Sequence, residues 1–249
     1  MPYRTNIAYL YDGSFEGLLC CVYESYYQRE LPSVIFHHEQ AQATLFPVKE
    51  IETDHTAAKK VEHSIGRSIS REALHLVRLC YLSQMENREL TILRFLRMGY
   101  KIGSPVTNML ADDVVGAIAK SAKNVQGESH FYKGFLRFSE YNGALVATIE
   151  PKNFVLPVIA PHFCDRFPSE QFLIYDKSHK CAFVYQNGEK SLIQLEHLEL
   201  PQAGAEEEKY RALWKQFYNT IAIEGRNNPK LRMSNMSKRY WANMTEFME

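Results

Sequence analysis

Apolar positions along this chain recur with a helical period over the first half and an alternating one over much of the second. Ile7 to Tyr11 reads as a strand, followed by a polar turn at Asp12-Gly13-Ser14. A helix then places Phe15, Leu18, Leu19, Val22, Tyr23 and Tyr26 on one face, at the i, i+3, i+4, i+7 spacing of a buried stripe. Asp12 or Ser14 suits the helix start, and Pro32 lies just past its end. From Thr53 to Lys123 the spacing predicts about four helices. Their apolar faces are Ala57, Ala58, Val61 and Ile65; Ala73, Leu74, Val77 and Tyr81; Leu93 and Leu96; and Leu110, Val114, Ile118 and Ala122. Thr53/Asp54 and Ser70 read as caps and Gly99 as a stop.

After Glu128 the pattern alternates, and Asn142-Gly143 and Asn187-Gly188 each separate two apolar runs. Asn-Gly tolerates the positive φ of a type I′ turn, so each predicts a hairpin. The first pairs Tyr141 with Ala144 and Arg137 with Thr148. Further strands are predicted at Phe154 to Ile159, Gln171 to Asp176, Cys181 to Tyr185 and Ser191 to Leu195. A last helix opens on Glu206-Glu207-Glu208, carries Tyr210, Leu213, Trp214, Phe217 and Ile221 on one face, and ends at Gly225. Helices in a block followed by hairpins define an α+β class: four to five helices, an antiparallel, hairpin-rich sheet and a C-terminal helix. With no linker composition in between, the expected organisation is one unit over 1–249, with a helical lobe at 36–125 and a sheet-containing lobe formed by 1–35 and 126–249.

Composition narrows the classes. At 249 residues and 45% hydrophobic content the chain can fill a sizeable core. No stretch approaches the roughly 20 apolar residues of a membrane span, so a cytoplasmic protein without a membrane partner is expected. The 5 cysteines include no C-x-x-C pair, which points away from a disulfide framework or zinc ribbon, and the two N-x-S/T triplets at Asn235 and Asn243 carry no weight in such a chain. Lys plus Arg equals Asp plus Glu at 29 each, so attraction to nucleic acid has to come from local clusters.

Three clusters could carry chemistry. The tail holds Arg226, Asn228, Lys230, Arg232, Lys238, Arg239, Tyr240 and Trp241 with no acid between Gly225 and Thr245. Cations that neutralise phosphates beside flat rings that stack on bases are the means of binding single strands. The alternative is that Tyr240 and Trp241 anchor the tail on the core. In Pro161-His162-Phe163-Cys164-Asp165-Arg166-Phe167-Pro168, a helical turn would put His162, Asp165 and Arg166 on one face as base, orienting carboxylate and phosphate-holding cation; the same residues could instead fix a loop. Glu128 and His130, two apart on an expected strand, would point the same way. With His162 and Asp165 they would make a two-His, two-carboxylate metal site if the segments met. No phosphate loop of the Walker or Rossmann kind, H-E-x-x-H or G-x-S-x-G occurs.

Several of these stretches, with others, carry a family resemblance. They are Tyr11-Asp12-Gly13-Ser14-Phe15-Glu16-Gly17, Ile51-Glu52-Thr53-Asp54, Glu128-x-His130 with Gly134-Phe135-Leu136-Arg137-Phe138, and Ile149-Glu150-Pro151-Lys152. To these add Leu156-Pro157, His162-Phe163-x-Asp165-Arg166-Phe167, Arg226-x-Asn228 and Arg239-Tyr240-Trp241. Nearly end to end, the chain resembles a bacterial family of probable DNA-metabolism proteins. The resemblance implies a radical-SAM partner in DNA modification or repair, and relatives fused to a uracil-DNA-glycosylase-like domain. It also marks one departure: the family pattern has a proline just before the last basic residues, where this chain has Met236-Ser237-Lys238. Lacking a cysteine triad for an iron–sulfur cluster, the chain is expected to need no cofactor of its own and to leave radical chemistry to the partner.

The leading expectation is therefore a DNA-binding accessory protein in which Arg137, Arg166, Arg226, Arg232, Lys238 and Arg239 meet phosphates and Tyr240 or Trp241 meets a base. A second is an enzyme acting on damaged or modified DNA through His130 or His162, Asp165 and Arg166. A third is a protein-interaction scaffold that does not touch DNA.

Overall fold

The computed structural model describes residues 3–38, 44–200, 204–220 and 228–247. The chain divides into two compact units, Met1–Gln126 and Gly127–Glu249.

The first unit opens with β1 (Ala8–Tyr11), α1 (Phe15–Tyr27), β2 (Val34–His37) and β3 (Val48–Glu50), which form a parallel sheet of order β2-β1-β3. The Ser14 side chain caps α1 by accepting from Gly17 N. After the sheet come α2 (His55–Ser64), a π-helical turn over Ile65–Ile69, α3 (Arg71–Tyr81), α4 (Arg88–Ile102) and α5 (Asp113–Phe135), with the unit boundary falling inside α5. Asp54 caps α2 and Ser70 caps α3, in line with the sequence. Gly99 does not end a helix: α4 continues to Ile102, and Gly103, at φ 80°, provides the left-handed residue that stops it. Gly99 serves packing, since a Cβ there would lie 2.6 Å from the Cδ1 of Ile69. The apolar faces converge on one core containing Tyr9, Leu18, Ile65, Val77, Phe95 and Ile118.

Glu30 is a buried acid beside the sheet. Glu30 accepts from Tyr9 OH (2.7 Å) and Lys49 Nζ (2.9 Å), with Arg4 at 3.9 Å. Burial pushes its pKa up, but the hydrogen bonds from Tyr9 and Lys49 outweigh that and hold it below the ordinary 4.5. A carboxyl depressed in the folded state contributes stability that is present above the unfolded value and lost as pH falls through the folded one. In Glu30→Gln the loss of stability on acidification below pH ~4.5 should therefore be shallower than in wild type, as read by urea midpoints across pH. Parallel acid profiles would refute this.

The second unit contains β4 (Ser139–Tyr141), β5 (Ala144–Ile149), α6 (Leu156–Arg166), β6 (Phe172–Asp176), β7 (Cys181–Gln186), β8 (Glu189–Gln194), α7 (Ala205–Thr220) and α8 (Pro229–Asn235). The sheet runs β4-β5-β6-β7-β8 and is antiparallel except where β5 and β6, joined through α6, run parallel. Both hairpins form as their Asn-Gly turns predict, with φ of 52° and 81° at Asn142 and Gly143, and 53° and 82° at Asn187 and Gly188. Tyr141 pairs with Ala144, but β4 starts only at Ser139, so Arg137 does not pair with Thr148.

Three expectations need correction. Glu128 to Gly134 is not extended: α5 runs on to Phe135 and buries Val125, Glu128, Ser129 and Tyr132 at i, i+3, i+4 and i+7. Phe154 to Ile159 leads into α6 instead of forming a strand. Pro157 is accommodated in its first turn, and Leu156, Ile159, Ala160, Phe163 and Cys164 are buried at helical spacing. The α+β class holds, but the described residues form eight α-helices, more than the expected block of four to five and the C-terminal helix, and they include a parallel sheet. Among the described residues no helix is long and apolar enough to cross a membrane.

Candidate functional site

In the second unit the sequence candidates gather where the tail meets the end of α5. The Glu128 carboxylate, buried at 3% exposure, accepts from Lys152 N (2.9 Å), Asn153 N (2.8 Å) and Asn153 Nδ2 (2.6 Å). Its Oε1 also pairs with Arg239 Nη2 at 3.0 Å. Arg239 Nη2 donates to Tyr240 OH at 2.5 Å. The Tyr240 ring is buried against Tyr132, edge-on at 5.1 Å between centroids, with Phe131 and Phe135 beside it. That burial raises its phenol pKa. One carboxylate thus fixes the turn after β5 and the basic tail together.

The same helix separates the pair expected to share a face. Two residues are about 200° apart on an α-helix, so Glu128 points inward while His130 is exposed. Among the described residues no group of three or more His, Cys, Asp and Glu could hold a metal, and Glu128, His130, His162 and Asp165 do not assemble one. His162, Asp165 and Arg166 all lie on α6 and are exposed. No hydrogen bond or ion pair joins them among the described residues; His162 packs on Phe163, and Arg166 lies 5.8 Å from the Phe167 ring centre.

Arg137 is held by Glu246, with Nη2–Oε1 at 2.7 Å and Nε–Oε2 at 3.3 Å, and lies 5.5 Å from the Trp214 ring centre. Trp214 Nε1 donates to the same carboxylate at 3.1 Å. Burial raises the Glu246 pKa, yet the Arg137 and Trp214 hydrogen bonds bring it below the ordinary 4.5. Its contribution is present above that value and fades as pH falls through the folded pKa, so the C-terminal turn should loosen in acid. Trp214 fluorescence should report this transition and lose it in Glu246→Gln; an unchanged acid titration in the variant would refute the assignment.

Asn228 Oδ1 accepts from Leu231 N at 3.0 Å, a cap at the start of α8. Arg226 lies outside the described residues, as does the side chain of Arg232. The Lys238 side chain is exposed, with Nζ 5.9 Å from the ring centre of Trp241. Trp241 stacks on Phe247 at 4.5 Å and donates from Nε1 to Met236 O. Ser237, where the resembled family has proline, takes φ −55° and ψ 141°, so the chain follows a proline-like path into the tail without the ring.

A second polar cluster, in the first unit, escaped the sequence reading. At the carboxyl end of β1, Asp12 Oδ1 accepts from Ser14 N (2.9 Å) and Ser14 Oγ (2.7 Å), while Oδ2 accepts from Thr53 Oγ1 (2.8 Å). Burial raises the Asp12 pKa, but these hydrogen bonds outweigh it and lower the carboxyl. The Tyr81 hydroxyl donates to Gly13 O, Arg88 lies 5.2 Å from the Tyr81 ring centre, and Arg88 Nε pairs with the buried Glu89 at 2.9 Å. Tyr11 OH donates to Glu89 as well, at 3.3 Å. The Tyr11-to-Gly17 motif is therefore a locked strand-to-helix turn whose polar groups satisfy one another. A Cβ at Gly17 would press on Asp12 Oδ1 and fall 2.9 Å from Thr53 Oγ1, so a larger residue would have to displace these hydrogen-bonded side chains. Gly17→Ala should destabilise the first unit by about 1–3 kcal/mol through that displacement, measured by thermal unfolding. A neutral or stabilising effect would refute the locked turn.

These features define a two-unit α+β protein whose second unit carries a mixed sheet and a basic-aromatic tail. The chain belongs to the family of a domain of unknown function (DUF4130), whose model matches residues 86–246. No curated protein matches it. Among solved structures it is similar to a pGpG-specific phosphodiesterase, PggH from Vibrio cholrae, at 8% identity over 72% of this chain and 81% of that one, with a TM-score of 0.34.

Proposed function

We propose that this protein is a nucleic-acid-binding accessory protein in DNA repair or modification, acting with a radical-SAM partner. The observation that carries the proposal is the pairing of the exposed Lys238 with the half-buried Trp241 on the tail, a cation beside an aromatic surface. Phosphate neutralisation and base stacking need those two groups side by side. Arg166, exposed on α6, adds a further phosphate-seeking cation. Arg239 and Tyr240 have a different part in this reading: engaged with Glu128 and Tyr132, they hold the strip that presents Lys238 and Trp241. The near end-to-end resemblance to DNA-metabolism proteins supports the same assignment and supplies the radical-SAM partner. In keeping with radical chemistry residing in that partner, the five cysteines are buried on α1, α3, α6 and β7, with no set of three together in sequence.

The test is a fluorescence-anisotropy titration against single-stranded, duplex and uracil-containing oligonucleotides at low and moderate salt. Binding that weakens as salt rises, with preference for one form, is expected. Absence of salt-sensitive binding to all three would overturn the proposal in favour of a protein-interaction scaffold.

A further inference from the structure

The first unit contains a groove that none of the candidates above uses. It measures about 460 Å³ and lies along α2, the π-turn and the start of α3, where Lys59, His63, Arg67 and Arg71 line it together with Gly66 and Glu62. These four basic residues fall at successive i+4 positions. On a pure α-helix of 3.6 residues per turn such a stripe would drift by roughly 40° per step. The turn over Ile65–Ile69 closes i→i+5, with Ser70 N bonded to Ile65 O at 3.1 Å, so it rotates less per residue and takes up part of that drift. The π-turn thereby helps to hold the four side chains along one groove.

The electrostatics are one-sided. Residues 55–81 contain five Lys and Arg against two acids, in a chain whose formal net charge is +0. The acid in the groove, Glu62, is neutralised by Arg78, and the other, Glu72, accepts from Thr107 Oγ1 at 3.1 Å. Lys59, His63, Arg67 and Arg71 are exposed and have no ion-pair partner among the described residues. Lys59, Arg67 and Arg71 carry charge that no described acid pairs, which leaves it available to an anion from outside, and the His63 ring adds a polar group beside them. Gly66 contributes the space: a Cβ added there would meet no atom within 4 Å, so packing does not require glycine, and a glycine inside a helical segment costs about 0.5–1 kcal/mol relative to alanine.

We propose that this groove binds successive phosphate groups of a nucleic-acid strand, Arg67 and Arg71 making the closest contacts and Lys59 and His63 extending the track. Arginine's planar fork suits phosphate oxygens, and cations spaced by about 6 Å per helical step can meet more than one phosphate. The proposal rests on the nucleic-acid reading of the protein only for the source of those phosphates.

The experiment compares wild type with two variants, Arg67→Glu/Arg71→Glu and Gly66→Leu, the second filling the groove without altering charge. Each is checked for unchanged helical circular dichroism and titrated with a single-stranded oligonucleotide by anisotropy and with inorganic tripolyphosphate by calorimetry. Wild type should bind both probes. Each variant should lose about tenfold or more in affinity for both, and the charge reversal should also flatten the salt dependence. If tripolyphosphate binds and is lost in the variants while the oligonucleotide never binds, the groove stands as a phosphate site and the nucleic-acid source is overturned. If the oligonucleotide binds wild type and both variants equally, the groove proposal is overturned and the nucleic-acid reading survives. If neither probe binds wild type, both fall.

Discussion

Replacing Glu128 by alanine should lower the stability of the second unit by about 3 kcal/mol, because it removes the acceptor of two backbone N–H groups and one side-chain amide at once. The carboxylate is buried at 3% exposure, so water cannot readily take its place, whereas Arg239, at 37%, can turn outward and be resolvated. The order expected from urea midpoints is therefore Glu128→Ala below Glu128→Gln below wild type, with Arg239→Ala also below wild type because it leaves the buried carboxylate without its counter-charge. Glutamine keeps one acceptor oxygen and loses only the charge assistance. A Glu128→Ala midpoint equal to wild type would mean that this network does not hold the tail to the turn after β5.

Tyr240→Ala should cost about 3 kcal/mol, since it empties the space between Tyr132, Phe131 and Phe135. Tyr240→Phe keeps the ring and forfeits one hydrogen bond, that with Arg239, for about 1 kcal/mol or less. Both effects should appear without nucleic acid present, in thermal unfolding. A neutral Tyr240→Ala would return the ring to the surface, and with it the role of base platform.

Local chemistry was legible in the sequence wherever it acts through neighbours. The Asn-Gly turns, the Ser14, Asp54 and Ser70 caps, and the Leu18, Leu19 and Val22 part of the α1 stripe follow from residues within a few positions of one another, whereas Tyr23 and Tyr26, expected on that face, are exposed. The parallel sheet was not, because β2 and β3 are only 4 and 3 residues long, too short to show a period. The end of α5 misled for another reason: Glu128 occupies a buried helical position, an arrangement that depends on donors 24 and 25 residues away and on the tail. The basic-aromatic tail was visible as composition, including the alternative that its rings serve as anchors. Its division into the buried Tyr240, Arg239 paired with the buried Glu128, and exposed Lys238 beside Trp241 needed three dimensions. The Lys59-His63-Arg67-Arg71 stripe was present in the sequence at regular spacing, but the chain-wide charge balance concealed it.

Nucleic-acid binding by the tail is tested most directly by the salt dependence of oligonucleotide affinity for Lys238→Glu beside wild type. Weaker binding and a log–log salt slope smaller by about one are expected, the signature of a lost phosphate contact, with an unchanged unfolding midpoint because Lys238 is exposed. A slope and affinity identical to wild type would contradict this and remove the tail from the nucleic-acid interface.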